Sequence, residues 1–420
     1  MSILIKNATV ITQNTNRDII DNCDILIVNN KIEAIGKSIK EKADIAIDAS
    51  GKIVMPGLIN MHTHVSMTLL RGLGEDLPLQ EWLTKKIWPV EAKLTNKNVY
   101  NGSMLGICEM LRSGVTCFND MYLVGVDEIA KASIETGVRG SLSDTVITNL
   151  DHNLDRTISF AKKWKGKNEL VTPHISCHSI YACSEGAILK AKEFAVKEKL
   201  KFHMHISETR KEIFDCLEKT KKYPIDYLGD LGLLDENTIL AHAGWVTKRE
   251  IALAGRNKAT IVNCPISNLK LATGGICQIT EFDHQGANVC LGTDGAASNN
   301  SLNMFETMKM SSLLQKHHYW KADILTTQRI LDFATINGAT ALGINAGSIE
   351  KGKLADIILL DGRAANMLPR NDLISNIVYS AGPQNVTDVI INGKIVMRER
   401  VIQTVDEEKI VERMKNIEKS

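Results

Sequence analysis

The stretch Met55-Pro-Gly-Leu-Ile-Asn-Met-His62-Thr-His64 is an apolar run that ends in two histidines separated by one residue. Side chains alternate between the two faces of a β-strand, so His62 and His64 point to the same side. Two imidazoles placed in this way can hold one metal ion. The same spacing also suits two histidines on a solvated strand face, so the pair predicts a metal site only together with partners elsewhere in the chain.

The composition is that of a large globular protein with a small-molecule partner. The chain has 420 residues, of which 44% are hydrophobic and 24% charged, enough to bury a sizeable core. Lysine and arginine number 50 against 49 acidic residues, which gives a net charge of +1. Because no global field then attracts nucleic acid or an anionic membrane, we expect neither as a partner.

The N-terminus and the cysteines favour a cytoplasmic location. Residues 1–6 begin a strand-like alternation rather than a signal peptide, and no apolar run reaches the roughly 18 residues of a membrane span. The nine cysteines are widely scattered, without a Cys-x-x-Cys pair. This pattern indicates neither a disulfide framework nor a thiolate zinc site, and most of these thiols are expected to be buried in a reducing compartment.

Short strand-like runs at both chain ends predict one composite β domain. Residues 1–57 alternate such runs with turn residues, among them the tight-turn pair Asn29-Asn30. Residues 350–420 again alternate strand-like runs with turn residues, with a hairpin turn at Asn392-Gly393 and a charged terminal helix over 406–418. We expect the two segments to form a single small β-sandwich.

Between these ends, residues 58–349 alternate apolar runs with helical stretches, which predicts an α/β fold, a (β/α)8 barrel of the TIM type. The eight runs are 58–61, 115–118, 137–142, 170–175, 201–205, 238–242, 260–264 and 288–292. In such barrels, catalytic groups lie at the C-terminal ends of the strands. The residues at or just beyond these ends are therefore predicted to meet in one site. They include His64, His178, His205, His242 and Asp294.

The ordered motifs of the chain resemble the amidohydrolase superfamily over essentially the whole length. These motifs are Pro56-Gly-Leu-Ile-Asn-Met-His62-Thr-His64, His205-Ile-Ser-Glu208, Leu240-Ala-His242-Ala-Gly, Gly292-Thr-Asp294-Gly and Gly347-Ser-Ile-Glu-Lys-Gly-Lys-Leu-Ala-Asp356. Further stretches resemble, more narrowly, the deaminases of 5′-deoxyadenosine, 5′-methylthioadenosine and S-adenosylhomocysteine. They are Leu70-Arg-Gly, Trp82, Ile87-Trp88-Pro-Val-Glu91 and Thr293-Asp294-Gly-Ala-Ala-Ser298. The resemblance implies a barrel bearing a β-sandwich, one divalent metal ion, and hydrolytic loss of ammonia from the adenine 6-amino group.

The expected metal ligands are three histidines and one aspartate. Three neutral nitrogens and one carboxylate, with a position left open for water, form a catalytic rather than a structural zinc site. We assign them as His62, His64, His205 and Asp294. His203 lies on the same strand face as His205 and competes with it, and the family position favours His205. Zinc is the expected ion, and Fe²⁺ or Mn²⁺ also suits such a ligand set.

Three residues are expected to take part in the reaction, two by proton transfer and one by hydrogen bonding. By the resemblance, Glu208 protonates N1 of the purine while activated water attacks C6, and it helps ammonia to leave. Asp294 can take the proton of that water, because a divalent ion lowers the pKa of the water; in the alternative interpretation, Asp294 caps a following helix. His242 is expected to orient the water or the tetrahedral intermediate. The structural alternatives are a solvated Glu208 and a core His242.

Four residues are expected to contact the nucleoside. Glu91 resembles the residue that accepts hydrogen bonds from both ribose hydroxyls, a task that suits the two oxygens of a carboxylate. By the resemblance, Trp82 forms an aromatic wall, His178 contacts the nucleoside and Ser298 bonds the purine. In the structural alternative, Trp82 and Glu91 are ordinary residues of an amphipathic helix, and Ser298 is a helix-turn serine.

The segment after the third strand favours a small 5′ substituent. Members that bind the amino-acid tail of S-adenosylhomocysteine can use arginines there, whereas residues 141–150 contain none before Arg156. The alternatives are another mononuclear amidohydrolase, such as a guanine deaminase or a chlorohydrolase, and a non-catalytic scaffold. A binuclear hydrolase of cyclic amides would need a bridging lysine after the fourth strand, and residues 172–178 contain none. The family resemblance suggests a homo-oligomer, either a dimer or a tetramer.

Overall fold

A computed structural model describes residues 1–148 and 153–417. The strands, in chain order, are β1 (Ser2–Ile11), β2 (Ile19–Val28), β3 (Lys31–Gly36), β4 (Ile45–Asp48), β5 (Lys52–Pro56), β6 (Leu58–Thr63), β7 (Val115–Tyr122), β8 (Arg139–Asp144), β9 (Val171–Pro173), β10 (Ile175–Ser176), β11 (Phe202–Ile206), β12 (Thr238–His242), β13 (Thr260–Asn263), β14 (Asn288–Leu291), β15 (Ile357–Asp361), β16 (Val386–Ile391), β17 (Lys394–Arg398) and β18 (Val401–Ile402).

The helices lie mainly between the strands of the central region. They are α1 (Leu79–Trp82), α2 (Trp88–Glu91), α3 (Asn96–Arg112), α4 (Val126–Thr136), α5 (Leu154–Trp164), α6 (Glu185–Glu198), α7 (Arg210–Thr220), α8 (Pro224–Asp230), α9 (Lys248–Arg256), α10 (Pro265–Lys270), α11 (Ile279–His284), α12 (Ala296–Asn299), α13 (Met304–Tyr319), α14 (Thr327–Ala334), α15 (Ile336–Leu342), α16 (Leu373–Tyr379) and α17 (Glu407–Ile417). None of the helices among these described residues combines the length and apolar character needed to cross a membrane.

One mixed sheet of nine strands is built from both ends of the chain. Strand β5 of the N-terminal segment pairs antiparallel with β15 of the C-terminal segment, with Met55 opposite Ile358. The turn predicted at Asn392-Gly393 joins β16 to β17, and both of its residues have positive φ angles, 51° and 71°. Such a pair of angles is what a tight hairpin turn requires. The chain ends therefore meet in a single sheet.

The predicted terminal helix is present, and its predicted last residue lies outside the described part of the chain. Helix α17 covers Glu407–Ile417, within the predicted span 406–418, and Glu418 lies outside the described part. Glu407 forms a salt bridge with Arg112 at the end of α3. Residues 149 and 150, the last two of the stretch 141–150 that contains no arginine, also lie outside the described part of the chain.

The central region contains two parallel sheets that meet at both edges. One sheet holds β6 to β9 and the other β10 to β14. At one edge, the N–H of Val146, just beyond β8, donates to the carbonyl of Ser176 in β10 at 3.0 Å. At the other edge, the N–H of Asp294 donates to the carbonyl of His62 at 2.9 Å. The ends of β14 and β6 are thereby brought side by side.

Several strand boundaries differ from the sequence-based expectation, those of β7 and β8 among them. Strand β8 begins at Arg139 rather than at residue 137, because Gly137 ends α4 in the left-handed conformation with φ 78°. Strand β7 continues to Tyr122, beyond the predicted end at residue 118. Its extension contains Asn119 and Asp120, which are polar but fully buried, so an apolar pattern could not reveal it.

Candidate active site

A cavity lies at the C-terminal ends of the parallel strands. Its polar side is lined by His64, His178, His205, Glu208, His242, Asp294 and Ser298. The wall formed by α1, α2 and the π-helical turn Leu83–Ile87 between them carries Leu79, Trp82, Leu83, Ile87, Trp88 and Glu91. His62 is fully buried and lies within the same cluster of histidine rings. The structure therefore brings all of the sequence-predicted site residues to one place.

Five side chains converge in two overlapping groups, as a metal site would require. Possible ligand atoms of His62, His64 and His205 lie within 4.8 Å of one another, as do those of His62, His242 and Asp294. Oδ1 of Asp294 lies 3.5 Å from Nε2 of His62 and 3.3 Å from Nε2 of His64. One carboxylate oxygen thus faces two imidazole nitrogens at the centre of the group.

Hydrogen bonds from Nδ1 of two histidines orient their rings so that Nε2 of each faces this centre. Nδ1 of His64 donates to the carbonyl of Met121 at 2.6 Å, and Nδ1 of His205 donates to the carbonyl of His178 at 2.8 Å. Each bond leaves the Nε2 lone pair free to bind a metal ion. Nε2 of His62 is buried and has no hydrogen-bond partner within the described ranges. This donor set, with its orphaned nitrogen, fits a divalent metal ion.

Burial also keeps the imidazoles in the form that binds a metal. It lowers the pKa of His62 to about 4, and it lowers the pKa of His205 well below its usual value. Both rings are therefore neutral near pH 7, with a lone pair to offer.

His203 occupies a different position from its competitor His205. Its Nε2 lies 3.2 Å from Nδ1 of His62, and its Nδ1 lies 3.1 Å from Nδ2 of Asn119. His203 is thus fully buried behind His62, whereas His205 lines the cavity. Sequence reasoning did not reveal Asn119 or this supporting place of His203.

Asp294 is held rigidly in a strained conformation. Its φ is 62°, in the left-handed region, which costs a residue other than glycine about 1–3 kcal/mol. Oδ1 accepts from the N–H of Gly295 at 2.8 Å, and Oδ2 accepts from the hydroxyls of Ser267 and Ser298 at 2.6 and 2.9 Å. The N-cap of α12 is Gly295, so Asp294 is not the capping residue of that helix. Ser298 lies within α12 and supports this carboxylate from there.

Glu208 and His242 lie next to each other beside the predicted metal ligands. Oε1 of Glu208 lies 3.9 Å from Nδ1 of His242. Burial, reinforced by the negative charge of Asp294, raises the pKa of Glu208 to about 8. Nδ2 of Asn268 donates to Nδ1 of His242 at 3.3 Å, which places the ring proton on Nε2. Glu208 can therefore donate a proton near pH 7, and His242 can donate a hydrogen bond.

Glu91 and Trp82, which the sequence predicts to contact the substrate, are buried in the wall that α1 and α2 form. Glu91 ends α2 and is 6% exposed; burial raises its pKa, and the nearby Tyr122 phenol opposes this shift. The indole N–H of Trp82 donates to the carbonyl of Leu73 at 3.2 Å. The ring of Trp82 is thereby fixed as part of the wall.

Sequence reasoning missed further lining residues. Tyr122 ends β7, Tyr181 follows β10, and Thr145 follows β8. The ring of Tyr181 packs edge-on to that of His178, with centroids 5.8 Å apart. Position just beyond a strand was the one available signal for Thr145, whereas Tyr122 lies beyond the strand end that the apolar pattern predicts, and neither residue belongs to a recognised motif.

The fold and this site agree with the family comparison. The model of the amidohydrolase family matches residues 53–396, and the chain belongs to this family. The resemblance inferred from the motifs is therefore confirmed.

Individual relatives are similar over nearly the whole chain. A 5′-deoxyadenosine deaminase of Methanosphaera stadtmanae is 42% identical over 414 residues, which cover 97% of this chain and 96% of that protein. A 5-methylthioadenosine/S-adenosylhomocysteine deaminase of Pyrococcus furiosus is 41% identical over 396 residues, 93% of this chain and 94% of that protein. The solved adenosine deaminase of Xanthomonas campestris, with bound zinc, has a TM-score of 0.95 at 31% identity, and covers 99% of this chain and 98% of its own.

Proposed function

We propose that this protein deaminates 5′-modified adenosines, converting the adenine 6-amino group to the inosine analogue and ammonia. The observation that carries the proposal is one cavity lined by a buried acid, Glu208, by Asp294 of the proposed metal site, and by Glu91 from the wall that α1 and α2 form. Relatives at about 40% identity, named for this reaction on 5′-deoxyadenosine and methylthioadenosine, support it.

We propose that His62, His64, His205 and Asp294 hold one divalent ion. Zinc is favoured because a related solved deaminase contains it, and Fe²⁺ or Mn²⁺ also suits these ligands. When bound, such an ion supplies Lewis-acid chemistry and lowers the pKa of water toward neutrality.

The chain's own residues then move the protons. Water adds its oxygen to C6, and the Asp294 carboxylate takes the proton that this water loses. The protonated carboxyl of Glu208 gives its proton to N1, which neutralises the charge that develops on the ring. The Nε2 proton of His242 bonds the new oxygen at C6. The amino group leaves as ammonia after it receives the proton held by Asp294 and the C6–N bond breaks. The second proton of the added water then passes from the oxygen at C6 to Glu208, which restores the acid and leaves the inosine analogue with a carbonyl at C6.

The wall that α1 and α2 form would select a nucleoside with a small 5′ group. Glu91 accepts the two ribose hydroxyls, Trp82 packs against the sugar and its substituent, and His178 and Ser298 contact the nucleoside and its purine. Arg156, after the third strand of the parallel set, is paired with Asp144 at 3.2 Å. Because this cation already has an acidic partner, 5′-deoxyadenosine and 5′-methylthioadenosine are favoured over a substrate with an amino-acid tail.

A substrate panel tests the proposal directly. Metal-replete protein is mixed with 5′-deoxyadenosine, 5′-methylthioadenosine, S-adenosylhomocysteine, adenosine, guanine and a chlorotriazine, and the loss of substrate absorbance is followed. Turnover of the adenosine analogues, with the two smaller ones fastest, is expected. Turnover of guanine or the triazine alone would favour another mononuclear amidohydrolase, and no turnover of any compound would favour a non-catalytic scaffold.

We further propose that the two parallel sheets close into one (β/α)8 barrel over residues 58–349. Residues 1–57 and 350–420 would form a β-sandwich domain beside it. The hydrogen bonds at both sheet edges and the shared nine-stranded sheet support this division. The protein is proposed to act in the cytoplasm as a homo-oligomer, a dimer or a tetramer, which light scattering of the purified protein would test.

A further inference from the structure

Two buried glutamates occupy the same position in the first helices that follow the neighbouring strands β11 and β12. Helices α7 and α9 follow β11 and β12, and each begins after an N-cap threonine, Thr209 or Thr247. At the third helical position stand Glu212, 3% exposed, and Glu250, fully buried. Because their local settings match, a difference in what each carboxylate binds points to a difference in role.

Glu212 reaches back past its own N-cap to the turn that carries Glu208. Its Oε1 accepts from the N–H of Ser207 at 2.8 Å, and its Oε2 accepts from the N–H of Glu208 at 2.9 Å. Successive backbone N–H groups that point the same way form an anion-binding concavity. Here the carboxylate of Glu212 fills that concavity from within the chain.

The turn that Glu212 holds is strained. Ser207 has a φ of 51°, in the left-handed region, where a side chain costs about 1–3 kcal/mol unless the surroundings hold it. Its carbonyl accepts from the N–H of Trp245 at 2.9 Å, so the turn is tied from both sides. The next residue, Glu208, enters the cavity beside His242. A shift of about 1 Å at such a position can cost roughly 10²-fold in rate.

We propose that Glu212 is a positioning residue that fixes the left-handed turn at Ser207 and thereby aims the Glu208 carboxyl at the purine. The inference rests on the proposed function, because it assumes that Glu208 is the proton donor. Glu250 supplies the contrast, since it accepts from the N–H groups of Thr247 and Ile225, at 2.8 and 2.9 Å. It therefore ties α9 to the start of α8, a purely structural link.

The matched substitutions Glu212→Gln and Glu250→Gln test this. Glutamine keeps the side-chain volume but turns an N–H₂ group toward one of the two backbone N–H groups, so that one bond is lost in each variant. For each protein we would measure kcat and KM on 5′-deoxyadenosine, metal content, and Ki for a nucleoside with a tetrahedral hydroxyl at the position of C6. The Ki does not depend on the fraction of protein that is folded, so it separates positioning from stability.

In Glu212→Gln, kcat is expected to fall about 10- to 100-fold and Ki to rise by a similar factor, with KM and metal content little changed. In Glu250→Gln, Ki and the kcat per folded molecule should equal those of the wild type, even where the melting temperature drops. Equal Ki values in the two variants would overturn the proposal, and so would a loss of metal that accounts for the lost activity in Glu212→Gln.

Two further outcomes are distinguishable. If Glu212→Gln does not fold, Glu212→Asp replaces it; this variant keeps the charge but is too short to reach both N–H groups, and the same Ki criterion applies. If the wild-type protein deaminates no adenosine analogue, the proposed function itself fails, and the present inference falls with it. Normal wild-type turnover with an unchanged Ki in the Glu212 variant refutes the positioning role alone.

Discussion

The two sides of the cavity are built in different ways. On the strand-end side, the polar groups are fixed by hydrogen bonds behind them, as His64 is by Met121 and Asp294 by Ser267. The other side is made of short helical turns over residues 79–91, and none of these turns, as described, begins with a side-chain cap. Its contribution is mostly apolar, with Glu91 as the charged exception.

This difference suggests a division of labour. Reacting groups must be held to within about 0.5 Å of their productive geometry, which strand ends with supporting hydrogen bonds provide. Selection among 5′ substituents requires a wall of suitable shape and polarity. Substitutions on the strand-end side should therefore lower kcat, whereas those on the helical side should act on KM and on the choice of substrate.

Removal of the metal should have the largest effect. The ligand group supplies several kcal/mol of transition-state stabilisation when loaded, so protein stripped with a chelator should lose roughly 10³- to 10⁴-fold in kcat. Addition of zinc should restore the rate in proportion to the metal bound. Full activity in protein shown by elemental analysis to be metal-free would contradict the metal-dependent reading of the strand-end side.

Glu208→Gln should follow closely, with kcat lower by about 10²- to 10⁴-fold, because the amide cannot give a proton to N1. Metal content should remain that of the wild type. The control is Glu218→Gln, a change at an exposed residue of α7, the helix that follows Glu208. It should leave kcat unaltered. A similar kcat in the two variants would remove Glu208 from the reaction.

The same residue should shape the pH profile. In the proposed mechanism the protonated carboxyl of Glu208 is the active form, and its pKa is raised to about 8. As pH rises through this pKa the proton is lost, so kcat/KM should fall tenfold for each further pH unit. A bound divalent ion favours the carboxylate, and the fall should therefore begin at or below about pH 8. A rate that stays constant to pH 10 would exclude this acid.

His203→Gln should weaken the metal site from behind. His203 contacts Nδ1 of the proposed ligand His62, and loss of such a partner typically costs about 10- to 100-fold in metal affinity. Competition with a chromophoric chelator would measure it. His174→Gln is the matched control, since this buried histidine contacts Ser141. Equal metal affinity in both variants would show that His203 only fills space.

The sequence supported the strand-end side better than the wall. Apolar runs show where strands stop, and His64 and Asp294 directly follow such runs, so their convergence could be predicted. Glu212 could not be predicted, because a glutamate in the first turn of a helix is common and its reach back to Ser207 depends on a left-handed turn. The position of Tyr122 at the end of β7 could not be predicted either, because it follows buried polar residues, which are typical of a loop in the sequence.

Glu91→Gln tests the one charged group of the wall. It should lower kcat/KM for nucleosides by about 10- to 100-fold, because hydrogen bonds to a charged acceptor contribute about 1.5–3 kcal/mol. Any residual reaction with free adenine, which has no ribose, should be unchanged. Equal losses for nucleoside and base would mean that Glu91 supports the fold of α2 rather than the sugar.

Trp82→Phe should have the smallest effect and the most selective one. The change removes the hydrogen bond to Leu73 and trims the wall while keeping an aromatic face. We expect KM for 5′-methylthioadenosine to rise severalfold, less than about tenfold, because only part of one apolar contact is lost. The kcat should stay constant, since Trp82 belongs to the wall and not to the reacting groups. Steady-state kinetics on two substrates would decide it: a fall in kcat for both would show that the wall and the strand ends are coupled.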